Sequence, residues 1–230
     1  MNDIAIGSIV YDPNWEWEHK SGDNYSGSGV TKPVKWIIVA KNHYAPNQII
    51  LMTEEIIARQ VFDNSTDRGS NKGLNHWGTS GKGNAKIGIR PWLNEVFYNS
   101  FTDGFKSQIM ITNVPNEDYN GSYITQDKVF LPSARELGEQ EDFKTGKDFG
   151  YFVDEISRLA HLGHNTDSYW TRSITHNSSR VAVITRPRGK SNHSKSSDSE
   201  GVRPMISLKS NTLLQEDEFG NYIIKYKAEN

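Results

Sequence analysis

Two arginines set in apolar, strand-like surroundings constrain this chain most. Tyr169-Trp170-Thr171-Arg172-Ser173 and Gly201-Val202-Arg203-Pro204-Met205-Ile206-Ser207-Leu208 both read as strands, with the apolar run Val181-Ala182-Val183-Ile184 between them. Burying an unpartnered guanidinium costs several kcal/mol. Arg172 and Arg203 therefore require fixed partners, either carboxylates or backbone carbonyls. The sheet around them is expected at the centre of the fold. The segment from Lys190 to Glu200 carries almost no apolar residue and reads as a solvated loop.

The rest of the chain alternates short strands with short helices. Ile4 to Tyr11 reads as a first strand, stopped by Asp12-Pro13-Asn14, and Val34–Ala40 pairs with Gln48–Met52 in a predicted hairpin. Thr53 is placed to cap a short helix, with Glu54 and Glu55 in its first turn and Ile56, Ile57 and Val61 inside. The strongest helical pattern is Ile89, Trp92, Leu93, Val96, Phe97 and Phe101, with Pro91 near its start. Thr102 caps a further helix over Asp103 to Met110. Asn113 to Ser122 reads as a turn-rich loop, and Lys128–Leu131 as a strand. Ser133 and Glu136 form a capping box, and Phe152, Val153, Ile156 and Leu159 suggest a last helix. Leu213-Leu214 and Tyr222-Ile223-Ile224 predict a terminal hairpin. With no repeat and no linker, a single α+β domain over residues 1–230 is expected, with its recognisable core about 5–208 and 209–230 as an extension.

Composition removes several functional classes. The 26 basic and 28 acidic side chains leave a net charge of -2, so no bulk charge draws the protein to nucleic acid or a membrane surface. The basic residues Arg180, Arg186, Arg188, Lys190 and Lys195 are followed at once by Asp198 and Glu200, so nucleic acid is not an expected partner. The absence of cysteine excludes disulfides, thiol nucleophiles and thiolate metal sites. No apolar run approaches the roughly 20 residues a membrane span needs. The first residues show neither a basic segment nor an apolar run, so cytoplasmic synthesis without a cleaved signal is expected.

Several segments together resemble a bacterial and phage domain family of unassigned function, related to the C-type-lectin-like and formylglycine-generating-enzyme folds. They are Gly7-Ser8-Ile9-Val10 before Trp36-Ile37-Ile38-Val39, then Ile89-Arg90-Pro91-Trp92-Leu93-Asn94 with Phe97. Asp127-Lys128-Val129-Phe130-Leu131-Pro132-Ser133, Tyr169-Trp170-Thr171-Arg172-Ser173 and Gly201-Val202-Arg203-Pro204 follow in order. The resemblance implies a C-type-lectin-like α+β domain: a small twisted antiparallel sheet, short helices and long surface loops. The cysteine chemistry it implies for formylglycine-generating enzymes has no residues here.

Other chemistry is weakly supported. His161 and His164 would share one face of a helix, with Asp167 behind them, and could form a metal or acid–base centre. Asp63, Ser65 and Asp67 before Gly69 alternate oxygen donors, but Leu74 stands where a calcium loop of the EF type needs a bidentate acid. Asn113, Asn116, Glu117, Asp118 and Asn120 are a second oxygen-rich stretch. Ordinary polar turns account for both, and no metal or cofactor is expected. The loops instead carry residues favoured at recognition surfaces: Trp15, Trp17, Tyr25, His76, Trp77 and Tyr119. Trp77 is either an anchor tucked onto the body or an exposed stacking ring. The expected function is a non-enzymatic recognition or assembly module binding a protein or glycan, of the kind found in a phage or prophage tail or receptor-binding apparatus. A homo-oligomer or larger assembly is compatible with this. The alternative is a cytoplasmic enzyme of the formylglycine-generating-enzyme-like fold, built on the two histidines.

Overall fold

The computed structural model describes residues 4–19, 30–63, 77, 88–118, 121–139, 145–174 and 180–226. They are mostly β-sheet with short helical segments, a mixed α+β architecture around a curled, half-barrel sheet.

The principal sheet has eight strands. From one edge it runs Val129–Phe130, Met205–Lys209, Gln48–Thr53, Trp36–Lys41, Ile9–Tyr11, Tyr222–Lys225 and Leu213–Glu216, and Ile109–Met110 also pairs with Met205–Lys209. Gln48–Thr53 is buried along its whole length, as expected of a strand packed on both faces. Ile9–Tyr11 pairs parallel with Tyr222–Lys225 and antiparallel with Trp36–Lys41. The terminal hairpin is thus part of this sheet, and Ile224 belongs to the core. A second, five-stranded sheet runs Lys190–Lys195, Arg180–Thr185, Tyr169–Ile174, Ser199–Val202 and Ala58–Val61. The predicted strand over 201–208 is split: Gly201-Val202 lies in the same sheet as Tyr169–Ile174, Met205–Leu208 lies in the principal sheet, and the chain crosses between the two at Arg203-Pro204.

Several local expectations give way to tertiary pairing. Thr53 ends a strand and starts no helix. The backbone N–H groups of Glu54, Ile56 and Ile57 donate to the carbonyls of Lys35, His161 and Val202, so other segments take the donors a first helical turn would present. Lys190 to Glu200 is no loop: Lys190–Lys195 forms a full antiparallel register with Arg180–Thr185, and Ser199–Val202 pairs with Ala58–Val61. Backbone pairing of this kind needs no apolar side chain. Asn113 to Ser122 falls in a hairpin whose strands are Thr112–Asp118 and Gly121–Asp127.

The helical segment over 89–100 forms, but most of it is wound as a π-helix, Trp92–Phe97. Ile89, Leu93, Phe97 and Phe101 are buried, whereas Val96 is 54% exposed. A wider turn keeps residues spaced by four in line and swings one spaced by seven outward. The cap at Thr102 is as predicted: its hydroxyl accepts from the Phe105 N–H at 3.1 Å, starting the helix Asp103–Gln108. The predicted helix after Phe152 shrinks to one 3-10 turn, Ile156–Arg158, leaving Val153 and Ile156 exposed. Asp154 accepts from the Ser157 N–H at 2.7 Å, a cap that starts the turn at Asp154 and leaves Phe152 and Val153 outside it.

Candidate functional site

The densest buried polar chemistry gathers around Arg172. Its strand, Tyr169–Ile174, carries an irregularity between Trp170 and Ile174 where the register with Arg180–Thr185 shifts. There the Arg172 N–H donates to the Pro132 carbonyl at 2.8 Å, docking the strand on the segment that leads to Glu136. The guanidinium binds Glu136 through two bonds, Nη1 to Oε2 at 2.6 Å and Nη2 to Oε1 at 2.5 Å. Such paired, parallel donation is the favoured arginine–carboxylate geometry. Arg172 also donates to the Leu131 carbonyl at 2.6 Å.

Glu136 is held from the other side as well. The predicted capping box is present without a helix: the Ser133 N–H donates to Glu136 Oε2 at 2.8 Å, and the Glu136 N–H to Ser133 Oγ at 3.1 Å. Above lies the turn Asn42–Asn47, in which Asn42 and Asn47 take left-handed backbone conformations that asparagine tolerates. This turn lines an open depression of about 470 Å³ and directs Tyr44 and His43 inward. The Tyr44 hydroxyl donates to Glu136 Oε1 at 2.8 Å, so four donors converge on one carboxylate.

Electrostatics follow from this crowding. Burial pushes the Tyr44 phenol well above its ordinary range, and the negative Glu136 adds to the effect. Burial works against the Arg172 charge, but Glu136 and Tyr44 together outweigh it and hold the guanidinium more firmly protonated. Burial lowers the His43 imidazole, so the ring is neutral near pH 7. The carboxylate is saturated with donors and the phenol stays protonated, while the His43 imidazole is neutral at the edge of the depression. The cluster ties three segments together.

A second node centres on Asp127. Trp77 Nε1 donates to its Oδ2 at 2.8 Å, Thr125 Oγ1 to the same oxygen at 2.6 Å, and Arg90 Nε to Oδ1 at 2.6 Å. It joins Trp77, the 112–127 hairpin and the 89–100 helical segment. Arg203, the other predicted buried cation, donates from Nε to the Thr53 carbonyl at 2.8 Å and lies over the rings of Phe152 and Tyr169.

Of the aromatic residues expected at a recognition surface, Trp15 and Trp77 are buried. Trp15 meets Phe101 edge-on at 4.5 Å, and Trp77 lies against Phe62. Trp77 is therefore the tucked anchor and not the exposed ring, because its indole N–H finds an acceptor inside. Trp17 is half-buried against Phe97 and donates to the Ile57 carbonyl. Tyr25, His76 and Tyr119 lie outside the described residues.

The proposed histidine centre loses its geometry. His161 sits in the strand Ala160–Leu162 and His164 in the following turn, so no helical face carries both. Among the described residues no group of three or more His, Cys, Asp or Glu is arranged to hold a metal. Within the second oxygen-rich stretch, Asn113 is exposed while Asn116 is buried and bonded to Val114 and Thr125. Strand alternation sends their donors to opposite faces. Of the first stretch only Asp63 is described, and it is buried.

Tyr44 and His43 were missed because a turn between two strands gives no reason to look inward. The available signal was Arg172, whose need for an acid pointed beyond its own strand.

No curated protein and no solved structure matches the chain. A family model, described as Domain of unknown function (DUF6273), matches residues 46–210, which include Glu136, Arg172 and Arg203. That is well over half of the 230 residues, and the chain belongs to the DUF6273 family.

Proposed function

We propose that this protein is a non-enzymatic recognition or assembly module. The observation that carries the reading is the saturation of its central ionisable cluster: Glu136 already accepts from Arg172, Tyr44 and Ser133. Acid–base catalysis needs a group with a free valence toward substrate. A carboxylate spent on internal bonds makes a rigid platform, and binding surfaces are then displayed by the hairpins. The 112–127 hairpin offers one such surface. Its outer face pairs Pro115 with Ile124, which is 68% exposed, and Ile111 nearby is 59% exposed. The partner class is a protein or a glycan. A finer version, a C-type-lectin-like module of a phage or prophage particle, rests on the ordered segments from Gly7 to Pro204; it expects tail or capsid genes beside this one.

The test presents purified protein to a glycan array and to sedimentation velocity, alongside Ile124→Lys at matched thermal stability. Retention of a glycan class or concentration-dependent self-association, lost in Ile124→Lys, is the expected result. Two results overturn the proposal. One is binding to neither; the other is consumption of a component of a metabolite mixture that His43→Gln abolishes.

A further inference from the structure

His43 stands where the open depression meets a wedge of packed aromatic rings. Its side chain is only 7% exposed, and the ring meets Tyr44 and Phe149 edge-on at 4.7 and 4.6 Å. Among the described residues neither ring nitrogen makes a hydrogen bond, and Nε2 lies 3.9 Å from Glu136 Oε1. The ring also lines the open depression at the 42–47 turn, so it stands between packed aromatic rings and water.

Phe149 belongs to a strap, residues 145–150, laid over the Glu136 cluster. Ser133 Oγ donates to the Thr145 carbonyl at 2.9 Å, and the Phe149 N–H donates to the Glu136 carbonyl at 3.1 Å. Thr145 Oγ1 reaches Glu117 at 2.9 Å. The fit is close enough that a Cβ on Gly146, whose φ is +93°, would stand 2.7 Å from Ser133 Oγ. The strap is thus held by a few bonds and by the wedge of Phe149 against His43.

Protonation places a charge into that wedge. Glu136 and Arg172 face the ring from beneath, and Lys147 and Asp148 from the strap. Burial strips the hydration of an imidazolium and is the strongest effect on the ring; Glu136 and Asp148 attract the charge, and Arg172 and Lys147 repel it. Glu136 shares its charge with Arg172, and Asp148 Oδ1 is engaged by the Gly150 N–H, so their attraction does not make up for the lost hydration.

We propose that His43 is a pH latch: protonation of its ring frees Phe149 and the 145–150 strap from the 42–47 turn and uncovers the Glu136–Arg172 pair. The sign follows from the neutral form being the one the closed state holds. Burial keeps the ring's titration below the ordinary imidazole value of 6.5, so closure is fully stable above that pH. It weakens as pH falls below 6.5, and levels off under the closed-state value.

Hydrogen exchange of the Phe149 amide, corrected for intrinsic rates, reads the latch between pH 7.5 and 5. Opening should rise by at most about tenfold per pH unit in the window between the two titrations, while the amide of Leu51 in the central strand stays protected. In His43→Gln, and in His43→Phe if the first variant folds poorly, opening should not respond to this range. An equal response in wild type and variant, an absent response in wild type, or simultaneous opening of Leu51 would overturn the proposal.

Discussion

Glu136→Gln keeps the shape of the side chain at the centre of the buried cluster and removes its charge. The native carboxylate accepts from Arg172 Nη1 and Nη2, Tyr44 Oη and the Ser133 N–H, all between 2.5 and 2.8 Å. An amide presents one oxygen and one NH₂. With the NH₂ toward Ser133 and Nη1 two bonds are lost; turned the other way, it meets the Tyr44 hydroxyl, which can reverse and accept, and the Nη2 bond is lost. Arg172, 3% exposed, is then a buried cation whose remaining acceptors are carbonyls. Breaking a buried pair from one side costs about 3–5 kcal/mol. Urea denaturation should show the slope unchanged and the midpoint lowered by that loss divided by the slope. Adding Arg172→Met removes the stranded charge, so the double variant should be more stable than the two single losses predict, by about 2–3 kcal/mol. A Glu136→Gln loss under 1 kcal/mol, in the sense of an exposed pair, or strictly additive variants, would refute the reasoning.

Gly146→Ala combines a left-handed backbone with a Cβ 2.9 Å from the Glu136 side chain, and should destabilise by about 1–3 kcal/mol in the same assay. Trp77→Phe keeps the ring against Phe62 but takes from Asp127 Oδ2 one of its donors, leaving Thr125. It should cost about 1–3 kcal/mol, and a cost near zero would show that the indole N–H is not buried against Asp127. Gly104→Ala would set a Cβ 2.3 Å from the Tyr226 ring, whose hydroxyl donates to Asp12 at 3.1 Å. Thermal melts should show a lowered midpoint and exchange data a loosened 213–226 hairpin. Truncation after Lys209 removes Leu214 and Ile224 from the core and the parallel partner of Ile9–Tyr11; the shortened chain should melt well below the full one, and an equal melting temperature would make the hairpin a true appendage.

The sheets give the platform its rigidity, and the polar nodes fix how the segments between them lie. Glu136 joins the 42–47 turn, the 131–136 segment and the Tyr169–Ile174 strand, while Asp127 joins a helical segment, a hairpin and Trp77. Each node is a single acid meeting donors from distant positions. Losing either should loosen several surface elements at once.

What the sequence by itself determined was set by local physics. Apolar runs such as Ile37–Val39 and Ile49–Met52 bury themselves as strands wherever they pair. Thr102 caps the helix its own next three residues begin, and Ser133 and Glu136 satisfy each other's backbone within one turn. An arginine in an apolar strand had to be paired, and Arg172 is. Only the tertiary structure decided which acid pairs with it, because the choice depends on the approach of segments 36 residues apart. It also decided that Thr53 ends a strand, that the polar stretch after Lys190 is a strand, and that the last hairpin closes onto Ile9–Tyr11. Backbone donors and acceptors bear no mark in the sequence of the carbonyl that will claim them. Trp15 and Trp77 look like recognition residues in polar surroundings and lie in the core instead, since burial is fixed by what folds over a residue and not by its neighbours along the chain.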